Sequence, residues 1–406
     1  MFISREEWRL LWPFYLSRLI ESSMALMAPF LVIYLSGLGL SLFQISTLFA
    51  ANYVAGIVFE IPTGAVADIW GRKFSVLTRF AVRAAVLLSL AYLSDYYVLL
   101  VLFFVMGVAD TLKSGADEAW VVDWLLGHGA EKMFADYAAK ETALGFLGKI
   151  IGPIIASLAL TFFEFRYLWV IEAVVLLICI LLLSRAGEYF SGGERSFGLA
   201  RRTLTGMRDG WRFSRTHRTV FLLMTSAVFI WFGNAVIDLL LQPTLVGAGI
   251  PVVSLGFILS GAAAVATVAT LAGARFAKIV RRPHLALAVT AAAKLLLTAL
   301  IGLISKPAFV VVLFYYGISM VGLLRGSTER AYFQSFVPSA MRATVTSIRS
   351  AVGTVGVVVA QLSAGYLADR IGARSVIGLS SLMLLPAVLL LLAARPPRVA
   401  ASEAGS

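Results

Sequence analysis

Charged residues are scarce in this chain of 406 residues: Asp, Glu, Lys and Arg make up 14%, whereas hydrophobic residues make up 60%. A soluble domain carries about 25% charged residues because its surface must face water. The mean hydropathy is +0.90, and apolar runs of roughly 20 residues, long enough to span a bilayer, recur along the chain. The sequence therefore excludes a soluble enzyme, even one held by a single membrane anchor. It predicts an integral membrane protein.

Cysteine and histidine are also scarce. Cys179 is the one cysteine and lies in an apolar run, so we interpret it as a small core residue. The three histidines, His128, His217 and His284, lie in separate polar connections without the spacing of metal ligands. No glycine-rich phosphate loop of the Lys–Ser/Thr type occurs, which leaves direct coupling to ATP unsupported. We therefore expect no metal, no cofactor and no catalysis. A membrane-embedded enzyme or sensor is the weaker alternative, because it would need a catalytic cluster at a membrane face.

Hydrophobic segments predict an all-α, polytopic membrane protein with twelve transmembrane helices. The first six are expected at Leu10–Leu35, Leu42–Ala65, Phe74–Leu93, Tyr97–Leu125, Phe134–Phe162 and Tyr167–Leu183. The second six are expected at Arg218–Leu245, Val252–Ala277, Leu285–Ile304, Phe309–Phe333, Met341–Ala368 and Val376–Leu392. Ser41 precedes Gln44 by three residues, the spacing of a capping box, which marks the start of the second helix.

The polar segment 185–217 divides the chain into a six-helix bundle at 1–184 and a second one at 218–394, followed by a tail at 395–406. The segment after the second helix resembles the segment after the eighth at three pairs of positions: Ala67 and Ala277, Ile69 and Ile279, Arg72 and Arg282. A six-plus-six repeat about an axis along the membrane normal is typical of transporters, with a central path between the halves. We therefore expect two bundles with pseudo-two-fold symmetry.

The net charge of +12 is better explained by membrane topology than by nucleic-acid binding. Lys and Arg concentrate in alternate connections, at Arg5, Arg9, Arg72, Lys73, Lys132, Arg275, Lys278, Arg281, Arg282, Arg342, Arg395 and Arg398, and in the segment 185–217. Cytoplasmic loops carry this excess. Both termini and the central segment are therefore expected in the cytoplasm, in a protein of the plasma membrane.

The turn after the second helix resembles the signature of the major facilitator superfamily, G-x-L-A-D-x-x-G-R-K. It matches at Gly64, Ala67, Asp68, Gly71, Arg72 and Lys73. A carboxylate at a helix end can bind the positive N-terminus of another helix. The resemblance implies that Asp68 contacts the eleventh helix and holds the cytoplasmic side closed in the outward-open state, a role we call the latch. A basic turn that only sets topology would explain Arg72 and Lys73, but neither Asp68 nor the glycine spacing.

Helix five resembles the superfamily's antiporter motif, G-x-x-x-G-P-x-x-G-G, at Gly148, Gly152 and Pro153. Ala156 and Ser157 replace its last two glycines. Small residues at this spacing also permit ordinary close helix packing, and both interpretations stay open. The motif favours export.

Two further segments, 115–123 and 337–344, resemble the bacterial drug-efflux branch that includes tetracycline- and macrolide-type exporters. Helix four departs from the family because Thr111 occupies the usual arginine position.

Ionisable residues inside membrane helices are costly, so each is a candidate for function. Candidates for proton coupling are Glu21, Asp110, Lys113, Asp117 and Glu118. Glu21 and Asp110 are the strongest because they fall near mid-membrane in helices that line the cavity of this superfamily. The alternative is a set of permanent ion pairs that stabilise helix packing.

Candidates for substrate binding are Arg18, Met24, Met27, Trp231, Asn234, Asp238, Arg325 and Glu329. Methionine and aromatic side chains suit hydrophobic, variable ligands, although ordinary core packing would use the same residues. The sequence thus predicts a monomeric, proton-coupled antiporter that exports lipophilic or cationic small molecules by rocking two bundles. A symporter, or an exporter of one defined metabolite, is the alternative.

Overall fold

The computed structural model describes residues 3–113, 115–189, 207–304, 306 and 308–395. In the N half, residues 3–189, the helices are α1 Arg5–Ser23, α2 Leu31–Gly37, α3 Leu42–Trp70, α4 Arg72–Leu90, α5 Tyr96–Thr111, α6 Ala116–Leu126, α7 Phe134–Leu160 and α8 Phe165–Ser184. In the C half, residues 207–395, they are α9 at 207–216, α10 Arg218–Gly247, α11 Ser254–Ile279, α12 Pro283–Leu303, α13 Ala308–Gln334, α14 Arg342–Ile371, α15 Ala373–Ser380 and α16 Leu384–Ala393. These described ranges contain no strand, and the predicted all-α class is confirmed.

Ten spans in the described part of the chain are long and apolar enough to cross a membrane. They correspond to ten of the twelve predicted segments. The first and third predicted segments are also helical, but they contain too many charged residues to count as apolar spans. The first contains Arg18 and Glu21, and the third contains Arg79 and Arg83. These two charged helices pack inside the N half and supply much of the site described below.

The first predicted helix, Leu10–Leu35, is not continuous: α1 ends at Ser23 and α2 begins at Leu31. Pro29 lacks an amide hydrogen and disfavours helical geometry at the preceding residue, which accounts for the interruption. Inside a membrane, the freed backbone groups need partners. The Met27 amide donates to Glu172 at 2.5 Å, and Gln242 accepts from the Val32 amide at 2.9 Å.

The fourth and twelfth predicted helices are interrupted as well. Between α5 and α6, Gly115 adopts φ 73°, a left-handed conformation that glycine adopts without steric cost. A short 3-10 turn, Ser381–Met383, joins α15 to α16. Each pair together still forms one candidate span, Tyr96–Leu126 and Ala373–Ala393.

The predicted central segment, 185–217, is partly helical, because α9 occupies residues 207–216. Lys73 binds the beginning of this segment through the Ser184 and Ala186 carbonyls, at 2.8 and 2.6 Å. Residues 190–206 of the segment and 396–406 of the predicted tail lie outside the described residues.

Contacts between helix ends define two faces of the molecule. At the first, which we call the terminal face, α1 begins and α8 ends: Trp124 donates to the Leu10 carbonyl at 3.0 Å, and Lys73 reaches the end of α8. The C half contributes the start of α10, where Thr219 donates to the Arg395 carbonyl at 3.3 Å. The other face, which we call the opposite face, carries the start of α3 and the end of α14.

The two halves pack together towards the opposite face. Ser157 on α7 donates to the Val253 carbonyl at 2.5 Å, and Ser260 on α11 donates to the Ile150 carbonyl at 2.6 Å. Gln242 on α10 joins the interrupted first helix, with its amide donating to the Ala28 carbonyl at 3.0 Å. Helices α3 and α14 meet at the same face. The structure is therefore closed at the opposite face.

Candidate functional site

A cavity of about 460 Å³ lies between the two halves. Helix α7 of the N half contributes Lys149 and Pro153 to its wall, and helices α10, α11 and α13 contribute the rest. Its polar lining comprises Lys149, Asn234, Asp238, Tyr315 and Ser319. The predicted substrate residues Asn234 and Asp238 therefore lie together on one cavity wall, and their side chains are exposed to it.

Asp238 is the one carboxylate that lines this cavity among the described residues, and it makes no hydrogen bond or ion pair there. Its neighbour one helical turn away, Asn234, accepts a short hydrogen bond from the buried Lys294. The amide thus engages the ammonium group of Lys294, while Asp238 stays available to a solute. A carboxylate in a membrane cavity can bind either a proton or a cation.

Glu21 is the centre of a charge network inside the N half. Its carboxylate contacts Arg79 on α4 at 2.7 Å and Lys113, which follows α5, at 3.0 Å. Asp110 continues the network, with Arg83 at 2.7 Å and Arg79 at 3.3 Å. Arg79 therefore bridges the two carboxylates. The structure thus brings together three of the candidates for proton coupling, Glu21, Asp110 and Lys113.

Arg79 and Arg83 were not among the predicted site residues. The signal was present in the sequence, because two arginines four apart in an apolar segment lie on one face of a helix. Arg79 is 7% exposed, and its guanidinium joins two helices that sequence patterning alone does not pair.

The network extends towards the terminal face. Lys113 contacts Asp117 at 3.4 Å, and Arg18 contacts Glu141 on α7 at 2.6 Å. A small cavity of about 40 Å³ lies among these side chains, with Tyr137 in its wall. Glu118 lies apart: it is exposed and forms no ion pair within the described ranges.

A second charge network lies in the C half. Glu329 contacts Arg325 on its own helix, α13, at 3.0 Å, and also forms a short ion pair with Arg349 on α14. The Arg349 guanidinium lies 4.7 Å from the ring centre of Phe333, a cation–π distance. Arg325 is 4% exposed. The predicted substrate residues Arg325 and Glu329 thus lie in a buried ion-pair network of the C half.

The remaining predicted substrate residues lie in apolar packing. Met27 is 1% exposed in the hydrophobic core, and Met24 packs against the same core. Trp231 is half-buried, packs against a hydrophobic cluster of the C half that includes Ile230 and Ile348, and lies against Gly353 of α14.

The glycines of the antiporter-type motif permit close contact between α7 and α1. A methyl group at Gly148 would collide with Ser22, and one at Gly152 would lie 2.7 Å from the Ser23 carbonyl oxygen. On the other side, the Pro153 carbonyl lies against Gly256 of α11. The motif therefore lies where α7 contacts both α1 and α11 of the C half.

The latch residues lie at the terminal face. Asp68 is exposed and makes no hydrogen bond or ion pair in the part of the chain that the structure describes. Gly71 has φ 99° and its amide donates to the Ala67 carbonyl, ending α3. Arg72 forms a short ion pair with Asp123, and Gly64 is exposed at the same helix end.

The helical architecture, the central cavity and the turn at residues 64–73 are all typical of one family. The family model of the Major Facilitator Superfamily matches residues 16–360. This chain belongs to the major facilitator superfamily. It is accordingly a multi-pass membrane protein and a secondary transporter. Within the described residues, no group of three His, Cys, Asp or Glu side chains is placed to hold a metal ion.

Similar proteins align with this chain over nearly its whole length. The uncharacterized MFS-type transporter YxaM of Bacillus subtilis (strain 168) is 23% identical over 379 residues, which cover 91% of this chain and 90% of that protein.

Among solved structures, the nucleoside transporter NupG superposes with a TM-score of 0.79 at 13% identity, covering 94% of this chain and 98% of that one. A bacterial homolog of the human lysosomal transporter Spinster, in an inward-facing and occupied conformation, has a TM-score of 0.75 at 13% identity and covers 96% of each chain. A D-xylose-proton symporter has a TM-score of 0.68 at 12% identity, covering 95% of this chain and 97% of that one. At these identities, the likeness concerns the fold.

Proposed function

We propose that this transporter is a proton-coupled antiporter that exports lipophilic or cationic small molecules. It works as a monomer in the plasma membrane, with the terminal face in the cytoplasm, as the distribution of Lys and Arg favours. The two halves rock around the central cavity, and the cavity is reached from the terminal face while the opposite face is closed. It catalyses no bond chemistry.

The observation that carries this proposal is Asp238 on the cavity wall. Because this carboxylate makes no ion pair among the described residues, a cationic solute and a proton would compete for it. Such competition is the simplest basis for exchange, since binding of one releases the other. The apolar side chains around it, including Leu259 and Ile318, suit a lipophilic body on the same solute.

The N-half network is proposed to transmit the proton. Glu21 and Asp110 share Arg79, so protonation of either carboxylate frees part of the guanidinium for the other. This arrangement couples two acidic groups through one cation. The resemblance of α7 to the antiporter motif favours export, and its contacts with the first helix and the C half place the motif where the halves would move against each other.

The variant Asp238→Asn tests competition directly. The probe is tetraphenylphosphonium, a lipophilic cation whose charge does not depend on pH. Wild-type protein should bind it more weakly at acidic pH, since protons occupy Asp238. The variant should lose about tenfold in affinity, as expected when one charged contact is removed, and its affinity should not change with pH. Asp95→Asn, which changes an exposed helix cap that does not line the cavity, is the matched control. Wild-type affinity in Asp238→Asn would reject the role of this carboxylate.

A symporter or exporter of one polar metabolite is the second candidate. Lys149 and Asp238 give the cavity one group of each sign, which suits a polar or zwitterionic solute as well as a cation. The names of two structural neighbours, a nucleoside transporter and a D-xylose-proton symporter, agree with that class of solute. The direction of proton movement during transport separates the two candidates.

A further inference from the structure

The end of α14 contacts the start of α3 at the opposite face, across the boundary between the halves. The Asp369 carboxylate accepts from the Leu42 amide through Oδ1 at 2.8 Å and from the Phe43 amide through Oδ2 at 3.0 Å. Both oxygens are used, and both donors are backbone groups of the other half. One side chain thus joins the second and eleventh predicted helices.

This contact completes the capping of α3. The first amides of a helix have no partner within it, and the helix N-terminus carries partial positive charge. Ser41 and Gln44 form the predicted capping box, in which each side chain accepts from the other residue's amide, at 3.2 and 3.0 Å. Asp369 accepts hydrogen bonds from the two amides between them, those of Leu42 and Phe43. The helix start is therefore fully capped only when the C half lies against it.

The sequence around Asp369 repeats the pattern of the sequence around Asp68. Residues 64–71, Gly-Ala-Val-Ala-Asp-Ile-Trp-Gly, and residues 365–372, Gly-Tyr-Leu-Ala-Asp-Arg-Ile-Gly, share glycine, alanine, aspartate and glycine at equal spacing.

The two turns also share a conformation. Gly71 has φ 99° and ψ 154°, and Gly372 has φ 84° and ψ 147°. Each glycine ends its helix with an amide that donates to the alanine four residues earlier, at 3.2 and 3.0 Å. The same turn thus ends α3 at the terminal face and α14 at the opposite face.

The packing around Asp369 is close. A methyl group at Gly365 would lie 2.5 Å from Ser46 Oγ and 2.6 Å from the Leu42 carbonyl oxygen, so the helices meet where no side chain fits. The rings of Phe43 and Tyr366 pack edge-to-face with centres 6.0 Å apart. The carboxylate is therefore held in place by the fit of two helices.

We infer that Asp369 is a second latch, which holds the opposite face closed, while Asp68 performs the same task at the terminal face in the other state. Helix α3 carries Asp68 at its end and receives Asp369 at its start. When the halves rock, one carboxylate leaves its partner helix as the other arrives. In this structure Asp369 is engaged and Asp68 is exposed, as this alternation requires. The inference depends on rocking of the halves and not on the identity of the solute or the coupling ion.

Distances between spin labels on the purified full chain test the inference. Ser36 and Ser375 are exposed and mark the two halves at the opposite face, whereas His128 and Ser335 mark them at the terminal face. Each is replaced by cysteine and labelled for double electron–electron resonance. The native Cys179 is fully buried and stays unlabelled.

Asp369→Asn should lengthen the Ser36–Ser375 distance and shorten the His128–Ser335 distance, changing the ratio of the two populations by about tenfold, since one charge-assisted contact is lost. Asp68→Asn should shift both distances the opposite way, and the double variant should lie between the two. Asp95→Asn is the matched control, because Asp95 caps α5 through two amides at 3.0 Å within the N half alone.

Gly365→Ala provides an independent variant, because its methyl group pushes α3 from α14 without touching the carboxylate. It should open the opposite face as Asp369→Asn does. Distances in Asp369→Asn that match wild type or the Asp95→Asn control would overturn the inference. A shift in the same direction as Asp68→Asn would overturn it as well.

Discussion

At the scale of single residues, the membrane interior is organised around carboxylates that contact cations on other helices. Glu21 lies between Arg79 and Lys113, and its side chain is 18% exposed. Removing one member of a buried ion pair leaves the others without compensation, at a cost of about 3–5 kcal/mol. Glu21 therefore bears on the stability of the N half, and we propose that it also sets the response of the N half to protons.

The variant Glu21→Gln keeps the shape of the side chain and removes its charge. We expect the free energy of unfolding to fall by about 3 kcal/mol. We also expect solute transport to become independent of the pH gradient while solute binding is retained. Thermal unfolding in detergent and transport in proteoliposomes measure the two effects.

The control for Glu21→Gln is Glu164→Gln, which breaks an exposed pair with Arg166 at 2.7 Å. Exposed ion pairs contribute little to stability because water and salt screen them, so this variant should behave like wild type. Proton-coupled transport that persists in Glu21→Gln would transfer the coupling role to Asp110 or Asp238.

Residue types and spacing identified candidate charges in the membrane helices, but not the partners of those charges. Glu21, Asp110 and Lys113 could be identified in the sequence because each is costly in an apolar helix. Their joint contact with Arg79 could not, since it depends on how α1, α4 and α5 pack. Likewise, Arg325 and Glu329 were identifiable as a pair four residues apart, whereas Arg349 belongs to another helix.

At the scale of helices, small residues and interruptions decide where elements meet. Hydrophobic length predicted the segments well, because a bilayer sets the length of a span. It did not predict the break between α1 and α2. Pro29 gave a signal for that break, but Glu172 and Gln242, which bind its free backbone groups, come from distant helices.

The contact of α7 with α1 gives a prediction at this scale. Gly152→Ala places a methyl group 2.7 Å from the Ser23 carbonyl oxygen, and overpacking of this kind costs about 1–3 kcal/mol. We expect lower thermal stability in detergent and slower transport. The control is Gly56→Ala on α3, where, among the described residues, no atom beyond the neighbouring backbone of α3 itself lies within 4 Å of the added methyl group.

In Gly56→Ala, better helix propensity should raise stability by about 0.5–1 kcal/mol. If Gly152→Ala were also more stable than wild type, close packing at the motif would not explain its glycines.

At the scale of the whole molecule, the sequence predicted two similar halves and a superfamily, and the family match agrees with both the fold and the signature turn. It could not show which face is closed. That property depends on contacts such as Asp369 with Leu42, which are 327 residues apart in the chain. The repeated turn at residues 365–372 was visible in the sequence, yet its partner became clear only when α3 and α14 were seen together.

We propose that the cavity between the halves is a site where a proton and a solute exchange. In that proposal, the solute and the proton would meet at Asp238 on the cavity wall, and the coupled carboxylates of the N half and the closed opposite face would serve the exchange. Such an exchange requires that movement of the solute in one direction moves protons in the other.

The most direct test is a flux measurement on purified protein in proteoliposomes with a pH-sensitive dye trapped inside. On addition of tetraphenylphosphonium outside, we predict that the lumen becomes more alkaline as the cation enters and protons leave. Asp238→Asn should abolish this change, and Asp95→Asn should preserve it. Acidification of the lumen, or uptake of the cation that continues unchanged after the pH gradient is collapsed, would contradict the account.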